Sequence, residues 1–143
     1  MTAKKGLTYA LIAYVVFVFI QSLLFKFTGS EETVIIFSTI AQWMSGVGLG
    51  FIAPTFKSLG GYTIGGIELV ASILLIMPAT RRIGAAIGGT IISGAIFFHL
   101  GTPLGVDRVI NDAGDTDGGV LFFMACGVWL SCVLIFLLSS KKT

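Results

Sequence analysis

Charge is scarce in this chain: of its 143 residues only 11% are Asp, Glu, Lys or Arg, against roughly a quarter in a soluble domain. That scarcity excludes an ordinary soluble globular protein. With 55% hydrophobic residues and a mean hydropathy of +0.99, the composition is that of an integral membrane protein. The net charge of +2 comes without a basic stripe, which excludes a nucleic-acid partner. Cysteine is nearly absent. Cys126 and Cys132 stand six apart in one apolar run, on different faces of a helix, so they form no Cys-x-x-Cys redox pair and read as small buried hydrophobes. The chain has no phosphate-cradling glycine motif, no nucleophile elbow and no Cys-rich metal framework. Proline is rare, at three residues, whereas nineteen glycines suit membrane helices.

Long apolar runs are plentiful. Four are long enough to cross a hydrocarbon core, which takes about 20 residues, and they lie near Gly6–Phe27, Gly61–Met77, Ile83–Leu100 and Gly119–Leu138. The first follows Lys4-Lys5 as a signal peptide would, but no Ala-x-Ala cleavage site comes after it, so it is expected to remain as a span. A fifth apolar stretch, Thr33–Ile52, is refused on charge placement. With four spans, Lys4-Lys5, Arg81-Arg82 and Lys141-Lys142 share one side, and Glu31, Glu32, Lys57, Asp107, Arg108, Asp112, Asp115 and Asp117 fall on the other. This is a positive-inside pattern with both termini cytoplasmic, expected of a multi-pass protein of a bacterial inner membrane. Residues 31–45 are then expected to form a short outer-face helix, amphipathic or re-entrant. Ser30 is placed to cap it, Glu31 and Glu32 suit its N-terminal end, Trp43 is an interfacial anchor, and Gly46, Gly48, Gly50 and Pro54 end it. The expected fold is all-α: a single four-helix membrane bundle over residues 1–143 with this extra helix.

Glu68 is the only acidic residue inside the long hydrophobic runs. An ionisable group at bilayer depth costs a few kcal/mol or more, so it is expected to be buried, partnered and functional. Measured from Gly61, it lies roughly 10 Å below the outer start of its span at 1.5 Å per residue. Gly61, Gly65, Glu68 and Ser72 share one helical face, and small residues mark where helices approach closely. Gly84, Gly88, Ala95 and His99 form a matching stripe on the third span, while Lys26 stands above Ser22 on the first, with Gln21 nearby. A pocket lined by Gln21, Lys26, Glu68 and His99 is geometrically consistent with these stripes, and would bind a ligand or handle protons. The bland alternatives are a snorkelling lysine, a solvated histidine and a glutamate that merely bonds a neighbouring helix. In the loop Asn111–Gly119, Asp112, Asp115 and Asp117 faintly resemble a calcium loop but lack its spacing and terminal glutamate. Capping of the fourth span by Asp117 is the simpler reading, and no metal is expected.

Several short strings resemble the DoxX family of membrane proteins: Phe25-Lys-Phe-Thr-Gly29, Gly66-Ile-Glu-Leu69 followed by Leu74-Leu75 and Pro78, Arg81-Arg82-Ile-Gly84, and Gly94-Ala95 through His99-Leu100. The likeness spans about residues 10–125, and the family's glutamate, histidine and lysine fall on Glu68, His99 and Lys26. It implies a four-helix membrane bundle. It also implies a small membrane component of a quinone-linked redox system, since the family includes small subunits of thiosulfate:quinone oxidoreductases. A quinone is the cofactor this would involve. The partners would be the lipid bilayer, a redox protein and a second copy of the chain. A non-enzymatic membrane scaffold is the alternative, and a small transporter a third. The third would need a polar path toward the cytoplasm, where spans two and three offer only Ser72, Thr90 and Ser93.

Overall fold

The computed structural model describes residues 2–140. Lys141 and Lys142, part of the charge pattern above, lie outside the described residues. Five helices follow one another: α1 Ala3–Phe27, α2 Glu31–Gly46, α3 Ala53–Ile76, α4 Arg81–Gly101 and α5 Val120–Leu138. Four of them, all but α2, are long and apolar enough to cross a membrane, making this a multi-pass membrane protein with an added short helix. No strand is formed among the described residues beyond one isolated bridge, Val109 to Thr116, in the loop between α4 and α5.

Backbone chemistry sets the ends of α2 and the start of α3. Ser30 Oγ accepts from Thr33 N at 3.3 Å, and Glu31 and Glu32 occupy the first turn of α2, where the helix dipole favours acids. The helix ends at Gly46, and Gly48, at φ +88°, takes the left-handed conformation that turns the chain back. Here the structure corrects the sequence reading. Helix α3 begins at Ala53 rather than Gly61, because Pro54 sits in its first turn. Proline lacks only an amide that is unpaired there in any case, so at this position it starts a helix instead of blocking one. Glu68 therefore lies not about 10 Å but roughly 22 Å along α3 from its first residue, at 1.5 Å per residue.

The spans alternate in direction and bury their small faces against one another. On α3 the buried face includes Gly61, Gly65, Glu68 and Ser72, and on α4 Gly84, Gly88 and His99. At Gly84 backbone meets backbone: a Cβ there would stand 2.7 Å from Leu75 N and 2.9 Å from Ala71 O. Only a residue without a side chain allows this contact, the usual device where lipid supplies no hydrophobic drive between helices. Large apolar side chains such as Phe17, Leu24 and Leu137 face outward, as lipid contact requires.

Two separate apolar clusters result. The larger, built around Val15, Phe19, Leu75, Val128 and Ile135, fills the bundle. The smaller gathers Ile40, Ala41 and Met44 of α2 with Ala53 and Leu104. Helix α1 ends beside the middle of α3, where Phe27 stacks on Tyr62 at 5.9 Å between ring centroids. The first turns of α3 thus rise past it and meet α2 through Phe56 and Phe37, 5.3 Å apart. At the opposite end Arg81 lies over the Tyr9 ring at 5.1 Å, joining the basic starts of α1 and α4.

Candidate functional site

A chamber of about 380 Å³ separates the two clusters. Val18, Phe19, Ile92 and Ala125 form its floor, and Ile40 and Leu104 its roof. All four residues proposed from the sequence, Gln21, Lys26, Glu68 and His99, line it.

Gly65 brings the first pair together. A Cβ there would lie 2.8 Å from Phe27 and 3.3 Å from Leu23, so its absence lets the last turns of α1 settle on α3. Lys26 is thereby carried to Glu68, with Nζ 2.7 Å from Oε2. The ammonium also donates to Ser22 Oγ, one turn below. Both side chains are largely buried, 14% exposed for Lys26 and 5% for Glu68. This is a closed ion pair, not a snorkelling lysine. Ser72, whose hydroxyl donates to the backbone carbonyl of Glu68 at 2.8 Å, returns its polarity to its own helix.

His99 is also buried, and its ring meets Phe122 edge-on at 5.7 Å. Its Nδ1 lies 2.7 Å from the Gly105 carbonyl oxygen. A carbonyl only accepts, so Nδ1 carries a proton, and in the neutral form of the ring Nε2 is then an acceptor. Gly105 adopts φ +72°, the left-handed conformation that aims its carbonyl back at the ring. Gln21 lines the chamber from an exposed position on α1.

Sequence reasoning missed Arg108 and Glu32 as chamber residues, and saw Asp117 as a cap or a faint calcium ligand. Arg108, 4% exposed, comes from the loop that precedes α5. Its Nη2 donates to Glu32 Oε2 at 2.7 Å, and its Nε lies 3.2 Å from Asp117 Oδ2. The second contact is electrostatic only: Nε and Nη1 of Arg108 are sealed from solvent without hydrogen-bond partners. Asp117 does cap α5, accepting from Gly119 N at 2.8 Å and Leu121 N at 3.2 Å. Glu31 Oε1 accepts from Asp112 N at 2.8 Å, a second tie between α2 and the loop. The loop itself is a small hairpin, closed by Ile110 N to Asp115 O at 2.8 Å and Asp117 N to Arg108 O at 3.1 Å. The signal in the sequence that points to Arg108 is its position as one of two loop cations, with Lys57, on an otherwise acidic side.

Asp112, Asp115 and Asp117 do not converge. Asp115 Oδ2 accepts from Asn111 Nδ2 at 2.8 Å, while Asp117 faces α5 and Arg108. Among the described residues no three metal-ligating side chains gather at one point. Cys126 and Cys132 are both free thiols. Compared with protein-family models, curated proteins and solved structures, the chain finds no match.

Proposed function

We propose that the chamber binds an amphipathic ring compound of the quinone type, and that the protein is a small DoxX-like membrane component of a quinone-linked redox system. One observation carries this: an apolar-walled cavity of about 380 Å³ whose polar side is a buried Lys26–Glu68 pair facing the same space as His99. Small-molecule sites of roughly 300–1,000 Å³ have this mixture of apolar walls and a few placed polar groups.

The residues fit such a ligand. Phe25 and Phe98 offer ring faces, and Lys26 Nζ, with two of its three protons used by Ser22 and Glu68, keeps one donor for a carbonyl oxygen. A bound quinone would supply a two-electron, two-proton acceptor, with electrons delivered by a separate donor protein. The chain's own contribution is to hold protons: Glu68 and His99 are groups that exchange them, and both are buried beside the chamber.

The orientation follows the positive-inside rule. Lys4, Lys5, Arg81 and Arg82 lie at the end of the bundle away from the chamber, which supports an orientation with both termini in the cytoplasm and the chamber toward the outer face of a bacterial inner membrane. A transporter is disfavoured. Thr90 and Ser93 donate to carbonyls of their own helix, and the larger apolar cluster blocks the route beneath the chamber. The scaffold reading has one observation in its favour, an exposed apolar turn between α2 and α3 where Phe51 is 83% exposed.

The test is purification from native membranes, with quantitation of co-purifying quinone, haem and protein for the wild type and Glu68→Gln. The expected result is near-stoichiometric quinone in the wild type and a large loss in the variant. Should the variant keep all ligand and redox activity while a partner protein still co-purifies, the chamber is not the site and the scaffold reading stands.

A further inference from the structure

The hydrogen-bonding capacity left over in the chamber is unbalanced, and the imbalance specifies the ligand's head group. Glu68 uses Oε2 for Lys26, and among the described residues Oε1 makes no hydrogen bond. His99 uses Nδ1 for Gly105, and Nε2 likewise has no hydrogen-bond partner among them. Among the described residues the side-chain polar atoms that are both sealed and unpartnered belong to Arg108 alone, so Oε1 and Nε2 retain open surface. Both residues are 4% exposed and both line the chamber, so that surface faces the chamber.

In the carboxylate form of Glu68 and the neutral form of His99 these two atoms only accept. Against them Lys26 keeps a single spare donor, and the Gln21 amide offers donor and acceptor alike. Charge leans the same way: the lining holds three carboxylates, Glu32, Glu68 and Asp117, against two cations, Lys26 and Arg108. A head group that only accepts leaves Oε1 and Nε2 desolvated and unpaired, which is where the cost of a buried polar group is greatest. An anionic head adds repulsion.

We infer that the chamber selects a neutral head group bearing hydroxyl donors, so that of a quinone couple it prefers the hydroquinone over the dione. The inference rests on the chamber being the ligand site proposed above. One hydroxyl donates to His99 Nε2 or Glu68 Oε1 while its oxygen accepts from Lys26 Nζ, a pairing the dione cannot make.

The experiment is equilibrium binding to the full chain in lipid nanodiscs under anaerobic conditions, with empty nanodiscs as blank. Three naphthalenes of similar size are the probes: 1,4-naphthoquinone, 1,4-dihydroxynaphthalene and 1,4-dimethoxynaphthalene. The dihydroxy compound is expected to bind about tenfold more tightly than either of the others, the effect of one or two hydrogen bonds to a charged or strongly accepting group. His99→Phe, which keeps the ring and its contact with Phe122, is expected to shrink that preference severalfold. The ligand comparison on the wild type decides the matter even if this variant fails to fold. If the quinone binds and the dihydroxy compound binds no tighter, the inference is wrong and the chamber reading survives. If none of the three exceeds the blank, the chamber reading itself is wrong, and this inference falls with it.

Discussion

Removing Lys26 should be far more damaging than neutralising Glu68, and the two effects should not add. In Lys26→Met the Glu68 carboxylate, 5% exposed, loses its cation and keeps no other charged partner within salt-bridge distance among the described residues. Breaking a buried pair in this way costs about 3–5 kcal/mol, because an uncompensated charge stays behind. Glu68→Gln is milder. Its amide oxygen still accepts from Lys26, Ser22 still accepts as well, and the lysine sits in the last turn of α1, where its long stem can turn toward a more polar layer. A loss of about 1–2 kcal/mol is expected, that of a weakened hydrogen bond. The double variant buries no charge and should lie within about 2 kcal/mol of the wild type, so the coupling amounts to at least ~2 kcal/mol. The assay is reversible unfolding in mixed micelles, followed by circular dichroism as the fraction of denaturing detergent rises. Should the double variant equal the sum of the singles within ~0.5 kcal/mol, the 2.7 Å contact is not an energetic pair and the chamber's electrostatics must be rethought.

Gly84→Ala places a methyl group 2.7 Å from Leu75 N and 2.9 Å from Ala71 O, both rigid backbone, and should cost about 1–3 kcal/mol in the same assay. Gly94→Ala, with nothing within 4 Å, should be neutral and serves as control; equal effects would refute the close approach. Arg108→Met removes the cation between Glu32 and Asp117, and hydrogen exchange in residues 106–118 should quicken by roughly tenfold or more as the hairpin loosens from α2. Unchanged exchange there would mean that Arg108 does not hold the roof.

The membrane spans were legible because each is a long apolar run, and lipid tolerates little else. Glu68 was legible for the same reason: against that background one acid is conspicuous. Its partner could be found as well, since Gly65 and Ser72 fix the face of α3 and Lys26 is the cation at the facing end of α1. The start of α3 was not. The sequence from Ala53 to Gly60 mixes polar and apolar residues, and proline reads equally as a stop or a first turn until the preceding backbone is known. Arg108 was hidden for a different reason. Its contact with Glu32 joins residues 76 apart in sequence, and nothing in a loop's composition distinguishes an arginine in water from one folded beneath a helix. The chamber's walls were legible piecemeal, but its roof depends on α1 ending partway along α3, a matter of relative height that hydropathy does not encode.

The larger apolar cluster beneath the chamber has an electrical consequence. Its members are all apolar, and the buried hydroxyls of the bundle, Thr8, Ser72 and Ser131, donate to carbonyls of their own helices. On the proposed reading, a proton taken up by Glu68 or His99 leaves by the side from which it came, so a full cycle of uptake and release moves no net charge across the hydrocarbon layer. A charge crossing the whole membrane would do work of about 2.3 kcal/mol per 100 mV, and this site neither spends nor stores it. On that reading its protonation answers to the acidity of one compartment and feels only the part of the membrane voltage that falls between that compartment and the chamber, which makes the site a terminal for protons and not a conduit.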